Sequence, residues 1–294
     1  MTIHVLVAVH NRCETSRSFL SDLFDQICHE PVRIIVIDDG SSDGTGLMLK
    51  RISQNNSERV TLSVITGDGS WWWAKSMAMA LDTARGQIKD HDVVVFMNDD
   101  ISVPPDTLER LAESSRTGSC IIKATLRQVG DPTTILDRGC LIDRETLSIV
   151  PLPTSPDRSN FTDLDVAPGR TVAYPGSIFV RGLNIDHSRL PHHLADLEFS
   201  IRASREGFPI RLAEEIFTLS VDERGVSYKS PNIWHRLTNI SSPDRLCSHW
   251  AFWRTALPDL PRCILLWRLF RFRLLPNLRS TIPYVNKLLR TTAG

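Results

Sequence analysis

Hydrophobic positions near the N-terminus fall in short unbroken runs divided by polar, glycine-rich loops. Ile3 to Val9 is continuously apolar apart from His4, the pattern of a strand buried on both faces. Phe19, Leu20, Leu23, Phe24 and Ile27 then recur at helical spacing, which predicts a helix. Val32–Ile37, Val60–Ile65 and Val93–Met97 repeat the strand signature. Between them the pattern predicts a short helix through Leu47 to Ile52 and a longer one over Ala74–Ala84. Pro104-Pro105 suits the first turn of another helix, where a missing N–H costs nothing. Strands alternating with helices at this spacing predict an α/β fold with a mostly parallel, Rossmann-like central sheet flanked by helices.

The pattern changes after Ser119. Cys120–Thr125 and Thr134–Ile142 read as strands, 151–170 as a loop, and Thr171–Arg181 as strand-like around Pro175-Gly176. His187–Ala195 is a polar connection, Asp196–Glu206 a helix closed by Gly207, and Ile210–Val221 a last strand or two. Beyond Ser230 the chain is aromatic and basic, and prolines at 258, 261, 276 and 283 divide it into short helices. We therefore expect a main domain over 1–230, with halves 1–118 and 119–230, and a C-terminal helical extension over 231–294.

The 34 Lys+Arg and 34 Asp+Glu balance, which gives no global field for nucleic-acid binding. From Asp244 onward, however, nine Arg/Lys face two Asp. Within Arg262–Arg273, arginines opposite Ile264, Leu265, Trp267 and Phe270 suggest a helix lying on an anionic membrane surface, the alternative being a helical extension that packs on its own domain or on a second subunit. The six cysteines form no C-x-x-C pair, so neither zinc nor a disulfide scaffold is expected. The apolar N-terminal run is too short for a signal peptide, and no stretch approaches the ~18 apolar residues that span a bilayer. The expected location is cytoplasmic, in part peripheral on the cytoplasmic face of the inner membrane.

In open α/β sheets ligands bind at the carboxyl ends of the strands. Acidic clusters stand there: Asp38-Asp39 after the second strand and Asp99-Asp100 after the fourth. Asp196 and Glu198 open the later helix. Carboxylates of this kind can hold Mg²⁺ or Mn²⁺ on a substrate phosphate, accept hydrogen bonds from a base or ribose, or take a proton from a hydroxyl. They can equally cap helices and turns. The G-x-G-x-x-G dinucleotide fingerprint is missing after the first strand, which ends in His10-Asn11-Arg12. Between the acidic clusters lies GDGSWWWAKSMAMAL, with three adjacent tryptophans at a loop-to-helix junction.

Taken in order, VAVHNR, VIDDGSSDGT, GSWWWAKSMAMAL, FMNDDI and LPHHLADLEFSIRASREGFPI resemble a family-2 glycosyltransferase of the GT-A fold over about residues 3–225. The tryptophans and the PHHLAD stretch are most similar to a rhamnosyltransferase-like branch acting on cell-surface glycans. That resemblance implies an inverting, metal-dependent transfer from a UDP- or dTDP-linked sugar, such as rhamnose, to a hydroxyl of a glycan or lipid-linked acceptor. It implies Asp196 as general base. It puts Ala8, Val9, His10, Asp38, Asp39, Gly69, Trp72, Trp73, Lys75, Asn98 and Asp99 around the donor. His192, His193 and Glu198 fall on the acceptor side, and Asp100 and Asp222 would hold Mg²⁺ or Mn²⁺. Asn98 replaces one acid of the usual metal motif. Two alternatives remain: a sugar-nucleotide pyrophosphorylase-like nucleotidyltransferase, and a non-catalytic glycan-binding scaffold. The first normally carries a glycine- and basic-rich loop after the first strand, which His10-Asn11-Arg12-Cys13 is not.

Overall fold

The computed structural model describes residues 1–152, 161–221 and 232–276. Asp222 and Pro283 lie outside them. The strands β1 (Ile3–Val9), β2 (Val32–Asp38), β3 (Val60–Thr66) and β4 (Val93–Met97) form a parallel block in the order β3-β2-β1-β4. The helices α1 (Cys13–Phe24), α2 (Thr45–Ile52) and α3 (Trp72–Ala84) make the crossovers. After α4 (Thr107–Gly118) the sheet continues through β10 (Val172–Pro175), β5 (Ile121–Gln128), β11 (Ile210–Ser220) and β9 (Phe161–Leu164). In this half β10, β9 and β6 (Asp131–Asp137) run antiparallel to their neighbours. A separate hairpin pairs β7 (Cys140–Asp143) with β8 (Ser148–Pro151).

Strand alternation sorts the core onto two faces. Ile3, Val5, Val7 and Val9 point to one side, under Phe19, Leu20 and Leu23 of α1, Met48 and Leu49 of α2, and Leu108 and Leu111 of α4. Leu6, Ile35, Ile37, Val94 and Phe96 point to the other, against Met77 and Leu81 of α3. On this second face Phe96 meets Tyr174 at 4.8 Å between ring centroids. Phe179 of α5 (Gly176–Val180) stacks at 5.8 Å on Phe199 of α6 (Ala195–Arg205). Beyond α7 (Ile233–Thr238), helix α8 (Leu246–Ala256) adds the buried Phe252 and Trp253, and α9 (Arg262–Leu269) adds Leu265 and Leu269.

Four expectations need correction. Helix α1 ends at Phe24, and Ile27 is exposed. The run Thr134–Ile142 is broken at Arg138-Gly139, where Gly139 takes a positive φ of 94°. The stretch 151–170 contains β9. The run 171–181 is strand only to Pro175, because Gly176 turns the chain into α5. The C-terminal helix also differs from the basic-side, apolar-side division. Arg268 and Arg273 reach back to the carbonyls of Arg144 and Leu147 on the β7–β8 hairpin, and Leu265 is buried. Ile264, Leu266, Trp267 and Phe270 are exposed. No helix among the described residues is long and apolar enough to cross a membrane.

Two buried histidines couple this packing to pH. Burial, helped by the positive charge of Arg273, pushes His249 of α8 down to about 4 from the ordinary 6.5. His4 of β1 is also lowered by burial, although Asp92 at 3.3 Å opposes the shift. The unfolded chain therefore binds more protons below pH 6.5, and stability is lost as pH falls from 6.5 towards 4. The urea midpoint is expected to decline over that window. His249→Gln can still donate to the Pro243 carbonyl that His249 Nε2 bonds at 2.9 Å, and should decline less steeply.

A candidate donor cleft at the strand ends

The carboxyl ends of β1, β2, β3 and β4 meet at one edge of the sheet because these strands are parallel. A cavity of about 380 Å³ opens there. The expected residues that line it are Ala8, Val9, His10, Asp39, Gly69, Trp72, Trp73, Asn98, Asp99, Asp100 and His192.

Asp39 organises one wall. Its Oδ1 accepts the Gly69 N–H, and its Oδ2 accepts those of Trp71 and Trp72, each at 2.9 Å. No local side chain caps α3, so this carboxylate, some thirty residues away in sequence, satisfies the first N–H groups of the helix. The two loops touch so closely that a Cβ on Gly40 would lie 2.7 Å from the Gly69 nitrogen. One on Gly67 would lie 2.6 Å from Asp39 Oδ1. Asp38 is buried beside it and accepts the Ser41 N–H at 3.1 Å, so it supports the loop and does not line the cavity.

The three tryptophans diverge. Trp71 packs on the core beneath Lys75, whose Nζ stands 4.8 Å from the ring centroid. Lys75 is thus occupied on Trp71 and does not line the cavity. Trp73 also packs on the core, with Cζ2 against Gly169. Trp72 is 41% exposed, at φ 54°, with its ring 5.3 Å from that of His192. A bulky aromatic in the left-handed region is strained.

His10 Nδ1 lies 2.6 Å from the Asp39 carbonyl, which can only accept, so Nδ1 carries the proton. Nε2 then accepts from the Asn11 amide at 2.9 Å. His192 is pushed down to about 4 by burial and by neighbouring His193, and is neutral at pH 7.

The second acidic pair is bound to a residue the motif reading did not single out. Arg12 Nη1 stands 3.2 Å from Asp99 Oδ1 and 3.2 Å from Asp100 Oδ2, and Ser16 Oγ donates to Asp99 Oδ2 at 2.6 Å. The i, i+4 spacing of Arg12 and Ser16 at the start of α1 was the available signal. Burial raises the Asp99 carboxyl, against the pull of Ser16 and Arg12. Ser76, also missed, lines the cavity from α3.

Three polar atoms on cavity-lining residues have no partner: Ser76 Oγ, Asp100 Oδ1 and His192 Nδ1. Buried polar groups are nearly always satisfied, so orphans gathered on one cavity point to a ligand. No cluster of three or more metal-binding side chains occurs among the described residues. The pair Asp99–Asp100, with its orphan oxygen, nevertheless fits a hard cation that draws its remaining ligands from phosphate and water.

Asp196 is the second residue of α6; it does not line the cavity itself but stands at Gly169 together with Trp73, which does. Its Oδ2 accepts the Gly169 N–H at 2.7 Å, and a Cβ on Gly169 would lie within 3.2 Å of both side chains. Burial raises its carboxyl above 3.8, against that hydrogen bond. His193 and Glu198 do not reach the cavity. His193 Nε2 bonds the Ser241 carbonyl at 3.0 Å. Glu198 is fully buried, held by Arg202 at 2.9 Å and Thr255 at 3.0 Å, so its acceptor-side placement is corrected to a structural ion pair.

A family model described as "Glycosyl transferase family 2" matches residues 4–159. No curated protein sequence matches the chain. Among solved structures, the chain is similar to a mannosyltransferase from Pyrobaculum calidifontis in complex with GDP-Man and Mn²⁺. The TM-score is 0.56 and the identity 16%, over 99% of this chain and 79% of that one. It is similar to GalNAc-T7 with UDP, GalNAc and Mn²⁺, at TM-score 0.65 and 14% identity, over 86% of this chain and 48% of that one. It is also similar to S. aureus TarS 1-349 in complex with UDP, at TM-score 0.58 and 16% identity, over 92% and 70%. These likenesses show the fold, which is GT-A.

The Asp39 contacts give a direct test. An amide in that place offers one acceptor oxygen and turns an N–H₂ toward backbone donors. Asp39→Asn should therefore cost about 1–3 kcal/mol in urea unfolding. Exchange of the Trp71 and Trp72 amides should accelerate more than exchange in the core strands.

Proposed function

This chain belongs to glycosyl transferase family 2, and we propose on that premise that it transfers a sugar, with inversion, from a nucleoside-diphosphate donor to an acceptor hydroxyl. It is a glycosyltransferase; the donor, the acceptor and the roles of residues are our reading. The observation that carries it is the convergence of Asp39, Asp99, Asp100 and three unpartnered polar atoms on one cavity at the strand ends.

The base and ribose of a UDP or dTDP donor lie along Ala8, Val9 and His10, against the loop that Asp39 braces. Asp99 and Asp100 would hold Mg²⁺ or Mn²⁺, which when bound neutralises charge on the leaving diphosphate. Arg12 adds a guanidinium at the same edge. The neutral His192 and the ring of Trp72 flank the sugar. Asp196, whose carboxyl is raised by burial, takes the proton of the attacking hydroxyl. The new bond joins that oxygen to the anomeric carbon, and the bond from carbon to the diphosphate oxygen breaks with its electron pair leaving on the nucleotide. The rhamnose donor and a cell-surface glycan pathway remain part of the same proposal.

Calorimetry with UDP, dTDP and GDP, each with and without Mn²⁺, tests the donor site. Failure of all three to bind would remove the reading. Asp196→Asn is expected to lower turnover at least about 100-fold while leaving nucleotide affinity unchanged. The acid limb of the wild-type rate should lie above pH 3.8, since Asp196 must be ionised to accept a proton.

We also read the exposed Ile264, Leu266, Trp267 and Phe270 as a surface that touches membrane where a lipid-linked acceptor is presented. Replacing Trp267 and Phe270 together by serine should reduce pelleting with anionic vesicles. Unchanged pelleting would count against membrane contact at this surface.

A further inference from the structure

A second cavity, of about 500 Å³, lies between the 188–189 segment, α8 and α9. Four arginines line it, Arg189, Arg245, Arg254 and Arg262, beside Trp250 and Ser188. Of the four, among the described residues, Arg189 alone forms ion pairs, with Asp186 and, at 3.8 Å, with Glu198. Arg245 donates to Ser248 Oγ at 3.2 Å and Arg254 to the Leu260 carbonyl at 3.3 Å, both neutral partners. Among the described residues, Arg245, Arg254 and Arg262 form no ion pair.

The backbone adds to this positive field. Arg245 is the N-cap of α8, and Arg262 is the first residue of α9. Neither helix has an acid in its first turn. Two positive helix ends and three unneutralised guanidinium groups therefore border one cavity, where an acidic or neutral first turn would be favoured. Such a cluster repels itself unless an anion enters it. Guanidinium forks and helix N-termini both suit phosphate oxygens, while Trp250 offers an apolar wall for the carbon skeleton attached to them.

The segment that lines this cavity leads straight to the donor cleft. His192 lies three residues after Arg189, and Asp196 seven after it. Seven residues span at most about 25 Å. An anion held here is thus within a few sugar lengths of the base.

We propose that this cavity binds a phosphoryl group of the acceptor, a phosphate or diphosphate ester, and so holds the acceptor in register with Asp196. The acceptor part of this inference rests on the glycosyl-transfer reading above; the anion site does not.

The test uses the full chain with the donor cleft filled by saturating UDP and Mn²⁺. Geranyl diphosphate and glucose 1-phosphate are titrated in separately by calorimetry. At least one is expected to bind, and Arg245→Gln/Arg254→Gln should weaken it about tenfold or more through loss of charge-assisted hydrogen bonds. Arg262→Gln, at an exposed position where folding is not at stake, should weaken it measurably by itself. UDP affinity should be the same in all variants. Preference for geranyl diphosphate would support a lipid-carrier diphosphate, and preference for glucose 1-phosphate a phosphorylated glycan. Binding of neither probe, or equal binding by wild type and all Gln variants, would overturn the proposal. Failure of UDP itself to bind would instead remove the glycosyl-transfer reading, and the comparison of variants would still decide the anion site.

Discussion

One carboxylate holds the upper edge of this protein together. Asp39 directly follows β2, and its backbone N–H donates to the Val9 carbonyl at 3.0 Å, which ties it to β1. Its side chain spends both oxygens on the loop that follows β3. Three parallel strands are thereby locked at their carboxyl ends through one residue. A carboxylate is the right group because every donor offered to it is a backbone N–H, and it is acceptor-only when ionised. Gly40 and Gly67 let the backbones approach, and the start of α3 gains the acceptor that its own sequence does not supply.

That arrangement explains why the tryptophan triplet was only partly legible in the sequence. Adjacent side chains cannot share a direction, so divergence of Trp71, Trp72 and Trp73 was foreseeable. The left-handed backbone at Trp72 was not, and the carboxylate that receives its N–H, Asp39, is far away in the chain. The same distinction runs through the fold. The β1 to β4 block was readable because each strand is a predominantly apolar, valine- and isoleucine-rich run ending in polar or glycine-rich sequence. The half after Ser119 was harder, since β9 is four residues long and β10 gives way to α5 at a single glycine. Short antiparallel strands are defined by partners, and partners are not written locally.

Electrostatics divided the candidate residues in the same way. Acids at strand ends were visible as types, but their burden was not. Glu198 stands two residues from Asp196 on the same helix, yet Glu198 neutralises Arg202 while Asp196 meets backbone N–H groups, that of Gly169 among them. Helical rotation separates their faces. Arg12 is the converse: a basic residue in an unpromising loop that reaches the Asp99–Asp100 pair because α1 starts beside β4. In both cases pairing decides which charges are spent on the fold and which stay open to a ligand.

Backbone strain gives an independent reason to treat the cleft as functional. Among the described residues, the non-glycine residues at positive φ are Asn11, Trp72, Ser119, Leu147, Thr171 and Leu194. Ser119 closes α4 and Leu147 turns the β7–β8 hairpin, both ordinary sites for such a conformation. The other four crowd the cleft and the base. Asn11 lies between His10 and Arg12, and Trp72 projects beside His192. Thr171 lies two residues after the Gly169 that bonds Asp196, and Leu194 is the N-cap of the helix that carries Asp196 in its first turn. Unfavourable backbone of this kind costs on the order of 1–3 kcal/mol at each residue and persists only where surrounding contacts enforce it. Asn11 is a residue type that tolerates this region, but Trp72 and Leu194 are not. Bulky Trp72 and Leu194 are held in place, and that is the pattern expected if side-chain direction at the cleft matters more than local backbone comfort.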